Sequence, residues 1–297
     1  MKITLQCLLA MGLAMNATAA ATSCSPIPGA DQIWSKAGVH WVFIGENHGT
    51  NETPAAFREL VCDAIAHGKH VTVALERPTS EQSALDNILT AKAKDLSAAQ
   101  ESLLQLRDWK EVPDGRGSEA MLRLLLSLRE FRSLQPDLKV FAFDAPYAGP
   151  PAAGPRDEAM GHALLSLRPA KPNDLVLILT GNLHAMQAPK LGADRAAMYL
   201  PPKEILSLIV TDRGGETWSQ SVEDGCGPQK GTVPDKDPKR PYGIFLDPGL
   251  APFGKVDGVL SLAAPLTASA PAAGETSPIP ACRAKFLSAH QTVSKNQ

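Results

Sequence analysis

Trp41-Val42-Phe43-Ile44-Gly45-Glu46-Asn47-His48-Gly49-Thr50-Asn51-Glu52-Thr53-Pro54 is the stretch on which the fold turns. Four apolar residues read as a short buried strand, and polarity then changes abruptly. Gly45 permits a tight exit, and Glu46, His48 and Glu52 follow within one loop. Thr53 suits an N-cap and Pro54 a first helical position, so a helix is expected to start there. In α/β proteins, side chains leaving the carboxyl end of a parallel strand project into a crevice that the sheet does not fill. The pattern returns downstream, where Leu175-Val176-Leu177-Ile178-Leu179-Thr180 reads as a second buried strand. It is followed by Gly181-Asn182-Leu183-His184, again Gly-x-x-His at a strand end.

Between and around these exits the chain alternates strand and helix. Strands are expected at 40–45, 70–76, 138–144 and 175–180, each close to continuously apolar, as a sheet covered on both faces requires. Helices are expected at 54–67, closed by Gly68, then as two helices within 79–109 that break near Lys94-Asp95, and at 118–134 and 156–167. Thr79 with Gln82 fits a capping box, Ser118 fits an N-cap, and residues 113–117 read as a turn. After 184 the rhythm changes: 205–211, a turn at 212–215 and 216–220 read as a β-hairpin, with short edge strands near 242–246 and 258–262. The expected fold class is therefore α/β: a mostly parallel central sheet flanked by helices, with a C-terminal β-hairpin and edge strands.

If the four strands run parallel, Glu46, His48, Glu76, Asp144 and His184 emerge on one edge. Two imidazoles and three carboxylates there suit general acid–base work, with His48, Glu46, Glu76 and His184 as catalytic residues. They also suit a divalent metal such as zinc, manganese, cobalt or iron held by Glu46, His48, Asp144 and His184, which would activate a bound water. Without metal, His48 is the base, its tautomer held by Glu46 or Glu76. Glu52, Arg58, Arg77 and Asn182 are expected around this set. Plainer roles compete: Asp144 as a loop cap, Glu76–Arg77 as a structural ion pair, Glu52 as a helix-terminus carboxylate, and Arg58 on a solvated face. Tyr147 and Arg156 border a Pro/Gly/Ala loop that could close over the crevice. His67, His70, His162 and His290 carry no spacing signal. The sequon Asn51-Glu52-Thr53 is read as coincidence. No Gly-x-Ser-x-Gly elbow, P-loop or dinucleotide fingerprint occurs.

The 297 residues carry 44% hydrophobic and 20% charged side chains with a net charge of -2, which gives no electrostatic case for nucleic acid or an anionic membrane. Residues 1–20 read as a secretory signal: Lys2, the apolar run 5–15, then small residues at 17–20. The run is too short for a stable membrane anchor, so a periplasmic or secreted location is expected, with no transmembrane segment. One α/β domain should span 21–262, followed by an Ala/Pro/Ser/Thr-rich, poorly ordered tail at 263–297. Signal removal leaves Cys24, Cys62, Cys226 and Cys282. The preferred pairing is Cys24–Cys62 with Cys226–Cys282, which would tether the tail; the alternative is a buried Cys62 thiol.

Gly45-Glu46-Asn47-His48-Gly49-Thr50-Asn51-Glu52, a helix, and then Val73-Ala74-Leu75-Glu76 resemble the opening of the erythromycin-esterase-like proteins. Here one residue fewer separates acid and histidine than in Gly-Glu-x-x-His. The Gly-x-x-His spacing, with its second copy at Gly181–His184, resembles the ChaN haem-binding proteins and the Tiki/TraB metalloproteases, regarded as one superfamily with an α/β core. The resemblance spans about residues 40–210. The esterase branch implies His48 as a base activating water, positioned by Glu46, Glu76 and His184. The Tiki branch implies a metal held by His48, His184 and neighbouring acids, and peptide cleavage. The ChaN branch implies haem held between the protomers of a homodimer, without catalysis, in iron uptake. The two function classes are thus an exported hydrolase acting on a small-molecule ester, amide or peptide, and a haem- or metal-binding module. Carboxylate density favours the hydrolase.

Overall fold

The structure, a computed structural model, describes residues 24–112, 114–144, 153–221 and 225–274. A short helix α1 (Asp31–Trp34) leads into strand β1 (Trp41–Glu46) and helix α2 (Glu52–Ala66). Strand β2 (His70–Pro78) is followed by helices α3 (Gln82–Thr90), α4 (Leu96–Leu104), α5 (Arg107–Lys110) and α6 (Glu119–Phe131). Then come β3 (Lys139–Asp144), α7 (Ala153–Leu165), β4 (Asp174–Gly181) and β5 (Ile205–Thr211). The hairpin β6 (Thr217–Ser221) and β7 (Gly225–Gln229) precedes β8 (Gly243–Phe245) and β9 (Gly258–Ser261).

Seven strands form one sheet in the order β3-β2-β4-β1-β5-β9-β8, and β6–β7 stand apart as an antiparallel pair. Every pairing in the large sheet is parallel except β8 with β9 at one edge. The α/β class is as the alternation predicted. The apolar runs are continuous because both faces are covered. Val42 and Ile44 of β1 join the core under α2, α3 and α6, while Trp41 and Phe43 join the core under α7. β4 divides in the same way, with Leu175, Leu177 and Leu179 on one face and Val176 and Ile178 on the other. Because β4 inserts between β1 and β2, the carboxyl ends of β3, β2, β4 and β1 are consecutive neighbours. That adjacency is what can gather their terminal side chains.

Several local expectations change. The segment 205–211 is not half of a hairpin. β5 is buried throughout and lies between β1 and β9, and the turn that follows delivers the chain to β6, whose partner is β7. α2 starts at Glu52, so Thr53 lies inside the first turn, buried, and caps nothing. Thr79 and Gln82 form no capping box. The Gln82 amide instead donates to Val140 O (2.8 Å) and accepts from Ala142 N (2.9 Å), clasping the outer edge of β3 as another strand would. Ser118 does cap α6 through Met121 N.

Residues 264–274 differ from the loose tail that composition suggested. Residues 264–272 lie against the body as a strap: Asn51 N donates to Thr267 O, Ser269 N to Gly49 O, and Ala272 N to Gly117 O. Residues 275–297 lie outside the described set. Cys24 and Cys62 form a disulfide with a Cα–Cα distance of 5.4 Å. Cys226 is disulfide-bonded as well, and Cys282 lies outside the described residues. Among the described residues no helix is long and apolar enough to cross a membrane.

Candidate active site

Four strand ends supply the centre. β1 ends at Glu46, and the next loop holds His48 over Gly181, where a Cβ would lie 3.1 Å from the imidazole Nε2. β2 is out of register with β3 between Leu75 and Pro78, and this irregularity carries Glu76 at the strand's end. β3 ends at Asp144, and the turn after β4 presents His184. The five groups expected on one edge of the sheet are all there.

Glu76 is the hub. Its Oε2 accepts from Thr180 Oγ1 and from Gly181 N, both at 2.7 Å, and lies 3.4 Å from His48 Nε2. Its Oε1 accepts from Arg156 Nη2 at 2.8 Å. Burial alone would raise the Glu76 pKa. The basic side chains around it, His184, His48 and Arg116, outweigh that cost and hold the carboxyl well below its usual range. Glu76 stays ionised.

His48 lies between two carboxylates, with Nδ1 3.0 Å from Glu46 Oε1 and Nε2 on the Glu76 side. Burial disfavours its charge, but Glu76 and Glu46 prevail and push its pKa up to about 10. Both ring nitrogens therefore carry protons at neutral pH. Glu46 moves the other way from Glu76: burial pushes its pKa up against the pull of His48. Its Oε2 is buried and has no hydrogen-bond partner among the described residues.

His184 differs from His48. Nδ1 is 2.6 Å from Asp157 Oδ1, and Nε2 is 3.1 Å from Arg156 Nη1. A guanidinium can only donate, so Nε2 accepts and the ring proton sits on Nδ1. His184 thus donates from Nδ1 to Asp157 and accepts at Nε2 from Arg156.

Two arginines complete the cluster. Arg156 binds Asp144 with its fork, Nε to Oδ1 at 2.9 Å and Nη2 to Oδ2 at 2.7 Å. Arg116 reaches Asp144 Oδ2 at 2.7 Å and is itself held by Asp114 through Nε at 2.7 Å. Sequence reasoning named Arg156 only as a loop neighbour and missed Arg116, Asp114 and Asp157. Arg116 and Asp114 sit in 113–117, whose Pro/Gly composition reads as a plain turn, and nothing local signals their partners. Arg156-Asp157, a charged pair opening the helix behind a strand-end acid, was the one available hint.

Of the expected surrounding residues, Asn182 belongs. Its backbone N donates to Glu46 O, and its Nδ2 donates to Asn47 Oδ1 (2.9 Å), tying the two Gly-x-x-His turns together. Glu52 does not belong. It accepts from Thr267 N and Oγ1 and fastens the strap to α2. Arg58 pairs with Glu59 and stacks on Phe131, on the helical layer. Arg77 is buried against Glu81 and Trp109. The ion pair considered between Glu76 and Arg77 is absent, because side chains alternate along a strand and Glu76 takes Arg156 instead. Tyr147 and His290 lie outside the described residues.

The donor set does not fit a metal or haem iron as arranged. Asp144 is committed to two guanidinium groups, both His48 nitrogens carry protons beside carboxylates, and the His184 lone pair is taken by Arg156. Among the described residues no group of His, Cys, Asp and Glu is placed to hold a metal ion.

No protein-family model and no curated protein matches this chain. Solved structures do. A protein described as a succinoglycan biosynthesis protein aligns with a TM-score of 0.58 at 10% identity, covering 81% of this chain and 91% of that one. A Bacillus cereus protein aligns at 0.53 and 12% identity, again over 81% and 91%. This chain shares their fold. A mutant of the erythromycin esterase EreC in its open conformation aligns at 0.49 and 13% identity, over 66% of this chain and 76% of that one. At such a score the likeness carries no argument.

Proposed function

We propose that this chain is an exported hydrolase that cleaves an ester or amide bond with water, using the row Glu46–His48–Glu76 and no metal. The observation that carries the reading is the imidazole set between two buried carboxylates whose pKa values are driven in opposite directions. Export rests on the disulfide of Cys24 with Cys62, a bond that persists in oxidising compartments.

The roles follow from the protons. Glu46 is the base: its pKa is raised toward the working range, and its Oε2 is free to accept. As water oxygen bonds to the substrate carbonyl carbon, a water proton passes to Glu46 Oε2 and the carbonyl π pair moves to oxygen. His48 is the acid. Of its two protons the one on Nε2 is the one able to turn to a leaving group, because its contact to Glu76 (3.4 Å) is longer than that of Nδ1 to Glu46 (3.0 Å) and Glu76 Oε2 already accepts from Thr180 and Gly181. When the tetrahedral intermediate collapses, the bond to the leaving oxygen or nitrogen breaks and that atom takes the His48 proton. Glu46 then releases its proton to water and His48 Nε2 takes one up from water, which restores the starting state. This proposal gives His48 the acid role in place of the base role that the esterase resemblance implied.

The test is hydrolysis of p-nitrophenyl esters of increasing chain length and of p-nitroanilides by the purified protein. Glu46→Gln and His48→Asn are each expected to lower kcat by about 10²–10⁴-fold with folding intact. Wild-type rates in both variants would overturn the assignment.

A further inference from the structure

The groups that accept and give protons leave one requirement of the reaction unmet: something must receive the negative charge that develops on the substrate oxygen. The geometry points to Arg156 as that group, aimed by a buried relay, Asp157 to His184 to Arg156, in which His184 is a positioning residue and not a base. This inference rests on the hydrolase reading above.

The relay can be followed atom by atom. Asp157 is fully buried on α7 and accepts Ala196 N at 2.9 Å and Arg195 Nη1 at 3.3 Å, so its carboxylate cannot turn. It accepts the His184 Nδ1 proton at 2.6 Å, which forces the lone pair onto Nε2. That lone pair accepts one N–H of Arg156 Nη1 at 3.1 Å. Asp144 and Glu76 engage Nε and Nη2, so every other nitrogen of the guanidinium is fixed as well. A guanidinium has five N–H donors, and among the described residues the second hydrogen of Nη1 has no acceptor. Among Glu76, Asp144, Arg116, His184, His48 and Arg156, the Arg156 side chain is the most open to solvent, at 23%. The unclaimed N–H thus belongs to the most accessible cation at the strand ends, locked in orientation on three sides. Such preorganisation is what oxyanion stabilisation requires, since the donor pays no reorganisation when charge appears.

Arg116 does not compete for the role. It is less exposed, at 14%, and Asp114 and Asp144 hold it from both sides. Its part is to share Asp144 with Arg156.

Arg156→Lys keeps the charge that Asp144 and Glu76 need but loses the fork, and Asp157→Asn keeps the shape of the relay but removes the negative charge that fixes the His184 tautomer. Each is expected to lower kcat about 10²–10³-fold with little change in KM, the range seen on removing one oxyanion donor. The double variant should lose little more than either single one, because both act on one unit. Two measurements need no turnover. Histidine ¹H–¹⁵N correlation should show the His184 proton on Nδ1, with Nε2 the acceptor, in the wild type, and a changed pattern in Asp157→Asn. Phenylphosphonate, a tetrahedral oxyanion probe, should bind the wild type and bind at least tenfold more weakly to Arg156→Lys. A wild-type His184 protonated on Nε2, or equal phosphonate affinity in Arg156→Lys, would overturn the proposal whether or not any ester is cleaved. Absence of all hydrolysis with both of those results as expected would overturn the hydrolase reading and leave the oxyanion-binding guanidinium standing.

Discussion

Gly115 and Gly49 pack backbone against backbone. A Cβ on Gly115 would lie 2.4 Å from Gly49 N and 2.8 Å from His48 C, and both glycines have left-handed φ, +85° and +78°. This approach lets the turn after α5 lean on the loop that holds His48 and extend Arg116 to Asp144. Gly115→Ala meets both a steric clash and an unfavourable φ, which costs roughly 1–3 kcal/mol. The expected outcome is a melting temperature lower by roughly 2–10 °C, with a loss of kcat beyond that explained by the unfolded fraction. Thermal melts and kinetics of the variant check it, and wild-type stability would show that the turn yields without cost.

Local pattern carried the sheet and half of the site. β1 and β4 announce themselves through apolar runs that stop at glycine, so Glu46, His48, Glu76, Asp144 and His184 could be placed on one edge before any coordinates. What local pattern cannot show is which distant segment satisfies those charges. Arg116 arrives from a turn, and Asp157 gains its meaning only through Ala196 N and His184. The same limit explains β5: a turn at 212–215 is a strong neighbour signal, but pairing with β1 and β9 buries far more apolar surface than a hairpin would. Arg77 shows the converse error. Beside Glu76 in sequence, it points away from it in the strand.

The imidazole of His48 makes stability depend on alkaline pH. Its pKa rises from an ordinary 6.5 unfolded to about 10 folded, against the desolvation cost. Its contribution is complete below pH 6.5. Between 6.5 and about 10 the native state holds a proton that the unfolded chain lacks, so stability falls as pH rises, by about 1.4 kcal/mol per pH unit for this group. Urea unfolding of wild type and His48→Asn across that range should give curves that converge as pH rises. Parallel curves would mean that His48 is neutral in the folded protein. Glu76 and Asp114, both held below their usual range, act oppositely: their stabilisation is present above pH 4.5 and is lost as pH falls below that.

Arg77 is a structural cation. Its guanidinium pairs with Glu81 at 2.7 and 2.8 Å and stacks on Trp109, whose Nε1 donates to Glu81 at 3.1 Å. Arg77→Met leaves Glu81 as an unbalanced buried charge, which typically costs about 3–5 kcal/mol. Arg77→Met with Glu81→Leu should recover most of that loss, since a matched apolar pair replaces the ion pair. At a temperature where each variant is folded, kcat/KM should be unchanged, because Arg77 touches none of the groups around Glu76. A specific loss of kcat would return Arg77 to the site.

The Cys24–Cys62 bond closes a loop that contains β1, the Glu46–His48 turn and the first part of α2. Cys62 is fully buried on α2, and the segment bearing Cys24 is also held by Ser25 N to Glu59, by Ile244 N to Pro28 O and by the packing of Ile27. With a sequence separation of 38 between the cysteines, loop entropy sets the stabilisation at about 2–4 kcal/mol. Cys24→Ala with Cys62→Ala is expected to lose that amount in urea unfolding, and alanine avoids burying a hydroxyl. A mild reductant should lower wild-type stability toward that of the variant, apart from any shift from reducing Cys226, while kcat/KM at 25 °C stays the same in the folded protein. The reasoning is that β1 is fixed on both sides by β4 and β5, so the disulfide restrains the unfolded chain more than it shapes the native site. A variant that keeps full stability, or one that folds but loses its chemistry, would contradict that division of labour.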